Sequence, residues 1–568
     1  MNDRRGTAII GLSGRFPKAE TMDEFWDVLA GTQAATSPVP AERKEVAKWA
    51  DKYKIYGGFL RNVARFDAPF FDITAEEAIA MDPQQRLFLQ IAWHAIENAG
   101  YTPRTLPRRT GVFVGAISAD YATLAEPHAF DGGLSTRATD RYQIANRVSY
   151  QFDFTGPSMT IDTACSGSGV AIHTAIHALE YGDCDVAIVG GVNLFLHASR
   201  FAQFRERGIL SDDNICRPFR DGANGAVYGE GVGALVLRPA KAAHEAGDLI
   251  RAYVAGSAVN SAGQTPAFTV PNSRSQTDVM QTALAQAKLS VADIDAVEAH
   301  GTGTALGDPI EARGIADVFR KAGIDATANP VKVGTLKGHF GHMESAAAIA
   351  AVTKVVAQME HEQLVPTLPD LPQSRLVSFK RTPLSLQNSL SDWPLRSGAS
   401  HRCVLINSIG GGGVNASLVL TEGPKSVPQT TAPYGDLFIF SARNTEQLRD
   451  NVTAVADWLE KQLAAPDMHR IATTLQIGRE AFAQRVVFLA LDRGELLDQM
   501  RAYLAGDIAS SDLPQMAIDW VSGKDVDWTA GRSRVELPYI LPLPGYQFGG
   551  EDYWLAEKVK VKALEPAI

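Results

Sequence analysis

Apolar and polar positions along this chain follow two alternating patterns, one typical of strands and the other typical of helices. Short continuous apolar runs indicate buried strands, and apolar residues spaced three or four apart indicate helices. In the first half these patterns predict strands at 8–10, 111–115, 157–161, 185–192 and 235–237, and helices at 22–30, 75–100 (a pair) and 170–179. Strands that alternate with helices favour a layered α/β fold.

A second α/β half is predicted from about residue 250. Its strands are expected at 294–300, 331–335, 402–408 and 416–420, and a helix is expected at 344–360. The two halves are similar in the order of their elements, although no repeat of residues relates them.

A stretch rich in Pro, Thr and Gly at 421–433 predicts a linker. After it, a small separate α/β unit is predicted from strands at 437–442 and 485–490 and helices at 445–463 and 469–474. The closing segment is rich in proline and large aromatic rings, so we expect it to pack on the body of the protein. We therefore divide the chain into an α/β domain at 1–425, a small α/β unit at 426–535 and a tail at 536–568.

Composition narrows the classes of function. The 568 residues are too many for one compact domain of ordinary size. A net charge of −10 without a basic stripe argues against a nucleic-acid partner. No apolar stretch approaches the roughly 20 residues of a membrane span, and the N-terminus lacks the apolar core of a signal peptide. The four cysteines are too few and too scattered for a disulfide framework or a metal site, which favours a reducing cytoplasm and no bound metal.

The stretch from Thr160 to Val170 predicts a strand, a tight turn and a helix. Cys165 falls at the turn, where its sulfur would be exposed on a sharp elbow. The unpaired N–H groups and the dipole of the following helix favour an anion, so we expect a lowered pKa and a nucleophilic thiolate at Cys165. A free cysteine is also often just a small buried hydrophobic residue, and this stretch alone supports the two interpretations equally.

Two histidines lie downstream in glycine-rich loops of the same kind. His300 ends a predicted strand and is followed by Gly301-Thr302-Gly303-Thr304, while His342 follows Lys337-Gly338-His339-Phe340-Gly341. A single histidine is more often structural than catalytic. Three loops at strand ends that carry a cysteine and two histidines indicate a catalytic site instead.

These motifs resemble those of a β-ketoacyl synthase, or ketosynthase, of a modular type I polyketide synthase. The resemblance rests on Asp162-Thr163-Ala164-Cys165-Ser166, Glu298-Ala299-His300-Gly301-Thr302-Gly303-Thr304, Lys337 with Gly341-His342, and landmarks at 66–71 and 81–86. It covers about residues 6–422 and implies a thiolase-like α/β fold of two similar αβαβα-type halves. Residues 434–555 resemble the linker subdomain that follows ketosynthases whose acyltransferase acts in trans.

The resemblance implies a reaction in two stages. Cys165 takes an acyl chain from an acyl carrier protein as a thioester, a covalent step that suits a soft nucleophile. A malonyl-type extender on a carrier protein then loses CO₂, and its enolate attacks the Cys165 thioester in a decarboxylative Claisen condensation. His300 and His342 would donate hydrogen bonds to the enolate oxygen. The alternatives are a non-elongating ketosynthase that only transfers chains and a β-branching ketosynthase.

Supporting roles follow from the same resemblance. Lys337 would order the histidine site, with Glu311 as its ion partner, although an ordinary acid at a helix start is a nearly equal interpretation of Glu311. Thr302 and Thr304 would contact the phosphopantetheine arm, or else form hydrogen bonds only within their loop.

Partners are implied as well. The family works as a homodimer with acyl carrier protein in its acyl and malonyl forms, and the linker subdomain implies a trans-acting acyltransferase. The carrier protein supplies the phosphopantetheine arm, and this chain is expected to bind no cofactor of its own. A noncatalytic scaffold is a third possibility, but a scaffold would need neither Cys165 nor the two histidines.

The chain departs from the family pattern at the pocket. Gly411 stands where the family usually has phenylalanine, so its N–H would still join that of Cys165 in an oxyanion hole while the gating side chain is missing. His339 replaces an asparagine before the second histidine motif. We expect a roomier entrance unless Ile409 or Phe340 fills the gap. These departures bear on the range of substrates and on the balance between condensation and simple acyl transfer.

Overall fold

A computed structural model describes residues 6–130, 139–323, 330–377, 379, 382–425, 431–464, 466–507 and 513–555. Its strands are β1 (Thr7–Arg15), β2 (Ser37–Pro38), β3 (Tyr56–Gly58), β4 (Arg65–Phe66), β5 (Thr110–Gly115), β6 (Ser158–Ile161), β7 (Val186–Asn193), β8 (Tyr228–Gly229), β9 (Gly231–Pro239), β10 (Ala252–Ser261), β11 (Ala296–Glu298), β12 (Val331–Gly334), β13 (Gln363–Leu364), β14 (Leu384–Leu386), β15 (Ser391–Asp392), β16 (Cys403–Ile409), β17 (Val414–Glu422), β18 (Leu437–Ala442), β19 (Gln484–Leu489) and β20 (Glu551–Asp552).

The helices are α1 (Met22–Ala30), α2 (Lys44–Ala47), α3 (Ala50–Tyr53), α4 (Ala75–Ala80), α5 (Pro83–Asn98), α6 (Asp120–Phe130), α7 (Tyr142–Gln151), α8 (Gly167–Tyr181), α9 (Ser199–Glu206), α10 (Ala240–Ala246), α11 (Ser273–Ala287), α12 (Gly307–Lys321), α13 (Lys337–Phe340), α14 (Ala347–His361), α15 (Thr445–Lys461), α16 (Met468–Ile477), α17 (Arg493–Ala505) and α18 (Gln515–Val521). Short 3₁₀ helices occur at Pro69–Phe71, Val291–Asp293, Glu344–Ala346 and Arg534–Glu536. Among these residues, no helix combines the length and hydrophobicity needed to cross a membrane.

The main sheet joins the two predicted halves. Its strand order is β14-β12-β11-β16-β17-β10-β1-β9-β7-β5-β6, and the antiparallel pair β1–β10 connects one half to the other. Each half contributes five strands, and these lie in the same order across the sheet. From the outer edge to the centre they are the third, second, fourth, fifth and first strands of that half in the chain. The predicted similarity of the halves is therefore confirmed, and β14 is an added edge strand.

Helices form a layer between the halves and further layers outside them. Helices α8 and α14 contact strands of both halves, and their apolar faces share one core with both. Helix α5 covers the outer face of the first half, while α11 and α12 cover that of the second. This is the αβαβα arrangement that the resemblance implied. The middle layer matters for function because the cysteine and one of the two histidines sit close to the starts of its helices.

The small α/β unit and the tail are bound to the main domain by aromatic rings. The Phe70 ring contacts Trp93 at 4.8 Å, Phe482 at 5.4 Å, Tyr546 at 4.6 Å and Phe548 at 4.8 Å between centroids. These rings come from the main domain, the small unit and the tail. Strand β20 also pairs with β4, which agrees with the expectation that the tail packs on the body.

Several elements were not predicted from the sequence. Helix α11 contains many Gln, Ser and Thr residues, and it buries Ser275, Gln276 and Thr277 on its inner face, so its apolar spacing is weak. Helix α17 also went unpredicted. In both cases contacts with neighbouring elements determine the helix more than its own hydrophobic pattern does.

Candidate active site

Cys165 lies between β6 and α8, as predicted. The residue before it, Ala164, has a φ of +54°, a left-handed conformation that is unusual for a residue with a side chain and typical of strained turns at functional sites. The Asp162 carboxylate accepts a hydrogen bond from the Ala164 N–H at 3.2 Å, and the Ser408 hydroxyl donates one to the Cys165 carbonyl at 3.2 Å. These contacts hold the thiol, which is half-buried, at the start of the helix.

The expected lowering of the Cys165 pKa is wrong in direction. Burial raises the pKa of the thiol above its ordinary value, because a thiolate loses more hydration than a thiol does. The ammonium of Lys337 and the N–H groups of Gly411 and Cys165 act in the opposite sense. The same two N–H groups are those that the resemblance placed in an oxyanion hole, and both lie close enough to the sulfur to affect its titration.

His300 is a buried neutral imidazole whose tautomer is fixed by the backbone. Its Nδ1 accepts a hydrogen bond from the Ile409 N–H at 3.3 Å, so the ring proton belongs on Nε2. Burial, together with the charge of Lys337 and the nearby His342, keeps the pKa of His300 well below its ordinary value. The ring is therefore a hydrogen-bond donor at neutral pH.

His342 has the same arrangement. Its Nδ1 accepts a hydrogen bond from the Glu344 N–H at 3.1 Å, and burial with the charge of Lys337 keeps its pKa well below the ordinary value. The His300 and His342 rings lie 5.2 Å apart between centroids at an angle of 87°. One face of His342 stacks on Tyr228 at 5.6 Å. The structure thus brings together two neutral imidazoles, each with its Nε2 proton free to donate.

Lys337 begins α13 and is buried beside the two histidines. Burial lowers its pKa, while Glu311 and Glu298 raise it. Glu311 is not a simple ion partner of Lys337: its two carboxylate oxygens accept the N–H groups of His300 and Gly301, both at 2.7 Å. Among the described residues no direct ion pair joins Glu311 to Lys337. Glu311 therefore acts on the backbone of the histidine loop as well as on the lysine.

Thr302 and Thr304 form hydrogen bonds within their loop. Their hydroxyl oxygens lie 3.2 Å apart, and the Thr304 hydroxyl accepts the Gly307 N–H at 3.1 Å. Asp308, in the first turn of α12, was not predicted as a site residue. Its carboxylate accepts the N–H of Gly303 at 3.1 Å and that of Phe219 at 2.7 Å, and burial raises its pKa to about 7.

A second buried acid and a base anchor the loop before Lys337. Glu298 forms an ion pair with Lys354 at 2.6 Å, and its other oxygen accepts the Leu336 N–H at 2.9 Å. The pair joins β11 to α14, two elements that are distant in sequence. Periodicity and spacing gave no signal for it, although Lys354 is a charged residue within an apolar helix.

The glycine loop between β16 and β17 faces the cysteine turn. A methyl group built at Gly411 would meet no atom within 4 Å. Phe340 does not fill this space, because it is fully buried and stacks on Phe25 at 5.1 Å. The large exposed ring near the loop is Phe268, which is 82% exposed and lies 3.5 Å from where a Gly412 side chain would begin. A side chain at position 411 would therefore have room among the described residues, and the open gate stays a prediction.

His339, the other departure, is a structural residue of the interior. Its side chain is fully buried, and burial together with the charge of Lys354 lowers its pKa to about 3. Its carbonyl accepts the Ala35 N–H at 2.6 Å. Among the described residues, no group of three or more His, Cys, Asp or Glu side chains could hold a metal ion.

A thiol on a strained elbow, N–H donors beside it and two neutral imidazoles on a thiolase-like fold define an acyl-thioester enzyme of the condensing class. The family comparisons agree. Residues 5–243 match the β-ketoacyl synthase N-terminal domain, 251–369 match its C-terminal domain, and 439–507 match the RhiE-like KS-MAT linker domain. The chain belongs to the β-ketoacyl synthase family and is a ketosynthase with its linker.

The chain is similar to modules of large synthases. It is 36% identical to polyketide synthase PksL of Bacillus subtilis and 35% identical to polyketide synthase ThaG of Burkholderia thailandensis. These matches cover 97% and 96% of this chain but only 13% and 11% of those proteins.

Solved structures give the same result. The oxazolomycin ketosynthase domain OzmH KS7 of Streptomyces albus matches with a TM-score of 0.90 at 36% identity, covering 97% of this chain and 98% of that one. The ketosynthase from module 6 of the bacillaene synthase of Bacillus subtilis matches with a TM-score of 0.88 at 34% identity, covering 97% of this chain and 100% of that one.

Proposed function

We propose that this chain is the ketosynthase of a polyketide synthase module and extends a carrier-bound acyl chain by decarboxylative condensation. The proposal rests on the protonation state and tautomer of His300 and His342, which are the same in both rings. Each ring is neutral, a backbone N–H donates to its Nδ1, and the two rings lie 5.2 Å apart between centroids, so two Nε2–H donors lie close together. A site that only transferred acyl groups would not need two such donors.

In the first stage the Cys165 thiolate attacks the thioester carbonyl of an acyl carrier protein. A new C–S bond forms, the carrier thiol leaves, and the N–H groups of Cys165 and Gly411 receive the negative charge of the tetrahedral intermediate. The raised thiol pKa means that Cys165 rests as a thiol, so its proton passes to the departing carrier sulfur.

In the second stage a malonyl-type extender loses CO₂. The electron pair of the broken C–C bond moves towards the thioester oxygen, where His300 and His342 donate hydrogen bonds to the enolate. The enolate carbon then attacks the Cys165 thioester and expels the cysteine thiolate. Both imidazoles are neutral with their proton on Nε2, so each stabilises the charge through one hydrogen bond from that N–H.

The carrier protein supplies the phosphopantetheine arm, and the chain itself needs no bound cofactor for these steps. Thr302 and Thr304, both partly exposed at the loop beside His300, are the proposed contacts of that arm. The linker match and the modular relatives support extender loading by a trans-acting acyltransferase. A reducing cytoplasm suits an enzyme whose nucleophile and three other cysteines are all free thiols.

We keep the division at 1–425, 426–535 and 536–568 as a proposal for the functional units: the ketosynthase domain, the linker subdomain and the tail. Residues 426–430 and 556–568 lie outside the described part of the chain. The antiparallel pair β18–β19 with its own helices supports the middle unit, and the pairing of β20 with β4 supports the tail.

Intact-mass measurements after mixing the protein with an acylated carrier protein and malonyl carrier protein test the proposed function. A β-ketoacyl product on the carrier supports condensation. An acylated Cys165 without elongated product would indicate a non-elongating or β-branching ketosynthase. Absence of any acyl-enzyme would indicate a scaffold.

We expect a homodimer in solution. Strand β6 ends the main sheet, and exposed apolar side chains lie on it and on the two helices that pack against it: Met159, Tyr150 and Tyr181. An open sheet edge with such neighbours is suited to a second copy. Light scattering at micromolar concentration should give twice the 61.1 kDa of one chain. A mass of one chain would contradict the prediction.

Replacing Gly411 with phenylalanine should narrow the entrance. The space beside Gly411 accepts a side chain, so a ring there would restrict bulky or branched acyl chains while the backbone N–H stays in place. The ratio of Cys165 acylation rates for a branched and a short linear chain is the measurement, with Gly411→Ala as the matched control. We expect the acylation rate for the branched chain to fall at least about tenfold relative to that for the linear chain, which corresponds to roughly 1.4 kcal/mol in activation free energy. An unchanged ratio would leave the four glycines as a structural turn only.

A further inference from the structure

Arg200 is a buried cation within reach of the active site that the reaction described above does not use. It lies on α9, and its guanidinium forms an ion pair with Glu344, the residue whose N–H donates to His342. Their side chains are only 11% and 8% exposed. A buried ion pair of this kind needs further partners, because both charges have lost their hydration.

Those partners hold Arg200 rigidly. Its Nη1 donates to the Asn193 side-chain oxygen at 3.2 Å and to the Leu194 carbonyl at 3.3 Å. The guanidinium also lies over the Phe195 ring at 4.5 Å. Arg200 is therefore fixed to the end of β7, and it fixes the Glu344 carboxylate in turn.

Glu344 has an unusual backbone. Its φ is +45°, in the left-handed region, although it is not a glycine and begins the 3₁₀ helix before α14. Such a conformation is strained and persists only where surrounding contacts determine it. This conformation directs the Glu344 N–H at the Nδ1 of His342.

We propose that Arg200 is a positioning residue. Its ion pair with the Glu344 carboxylate holds the backbone of residue 344, and the N–H of that residue fixes the tautomer of His342. The inference rests on the proposed function, since it explains how one of the two donors keeps its proton on Nε2. A second set of contacts also joins α9 to His342. Phe204, on the same helix as Arg200, stacks on Tyr228 at 3.9 Å, and Tyr228 stacks on His342.

Without Arg200 the Glu344 carboxylate would be a buried charge with no cation. It would turn towards water or take up a proton, and the strained backbone at residue 344 would relax. The N–H would then leave His342, whose proton could move to Nδ1. The donor to the enolate oxygen would be lost, while Cys165, His300 and the oxyanion N–H groups would stay in place.

The test compares Arg200→Met with Arg200→Lys and with Arg205→Met. Arg205 lies on the same helix but pairs with the exposed Asp212, so its loss controls for removing an arginine from α9. We expect Arg200→Met to slow malonyl decarboxylation at least about tenfold, a part of the 10²–10³-fold that loss of an oxyanion donor costs. Acylation of Cys165 should fall much less than decarboxylation does, Arg200→Lys should recover most of the loss, and Arg205→Met should have no effect.

A spectroscopic measurement separates positioning from general damage. Solid-state ¹⁵N spectra of histidine-labelled protein, with His342 assigned from His342→Gln, report the ring tautomer without any substrate. In Arg200→Met the His342 proton should shift to Nδ1 while the His300 signals stay unchanged. An unaltered His342 tautomer would overturn the proposal, even if the rate fell.

If Arg200→Met does not fold, the double variant Arg200→Met/Glu344→Gln removes the unpaired charge. It should show the same tautomer shift, and a wild-type tautomer in it would also overturn the proposal. Failure of the proposed function is recognised separately, since wild-type protein would then not decarboxylate malonyl carrier protein at all.

Discussion

Replacing Cys165 with alanine will abolish the loading of an acyl chain onto the protein. The thiol is the one cysteine that combines a strained turn, a helix start and two N–H donors. The other three cysteines are buried, and none of them lies at the start of a helix. Intact-mass spectrometry after incubation with an acylated carrier protein should show no added acyl mass.

Cys216→Ala is the matched control for this variant. Cys216 lies near the site, where its thiol donates to the Thr302 carbonyl at 3.6 Å, yet its side chain is buried. We expect Cys216→Ala to be acylated at Cys165 as the wild type is. Acyl mass on Cys165→Ala, mapped by peptide analysis to another cysteine, would contradict the assignment of the nucleophile.

Replacing His300 or His342 with alanine will leave acyl loading largely intact and remove decarboxylation. Each imidazole is neutral with its proton on Nε2, so in the proposed reaction each substitution removes one hydrogen bond to the developing enolate oxygen. Loss of one such donor costs about 10²–10³-fold in rate. Release of CO₂ from malonyl carrier protein measures the second stage, and the mass of acyl-Cys165 measures the first.

His339→Asn is the control for the histidine variants. His339 lies in the same short segment as His342 but is buried in the interior, and asparagine is the residue that the family usually carries there. We expect it to change neither stage greatly. Equal loss of loading in His300→Ala and His342→Ala would point to damage of the fold and against the donor roles.

Cys165, His300 and His342 could be predicted as site residues from the sequence because each sits in a short local motif at a strand end. The N–H groups of Ile409 and Glu344, which fix the tautomers of the two histidines, could not be predicted, since their directions depend on backbone dihedrals. The direction of the Cys165 pKa was predicted wrongly for a related reason. A helix start is visible in sequence, but the extent to which neighbouring loops bury a thiol is not.

The fold was predicted where apolar spacing is strong and missed where polar residues are buried. Strand β7 is almost wholly apolar and helix α14 is mostly apolar, and both were predicted to within a few residues. Helix α11 was not predicted, because much of its inner face consists of side chains that form hydrogen bonds. Long-range ion pairs such as Glu298–Lys354 and Arg200–Glu344 leave no periodic signal in the sequence. The contacts that support the site residues are therefore visible only in the structure.

The rings that surround Phe70, which we call the aromatic junction, limit where the chain can be divided when domains are exchanged between synthases. A fragment that ended before the small α/β unit would expose Phe70 and Trp93 to water, because their contacts with Phe482, Tyr546 and Phe548 would be lost. Freshly exposed rings of this size promote aggregation. A transplanted segment should therefore run past Trp554, so that the recipient synthase inherits the junction whole and not one side of it.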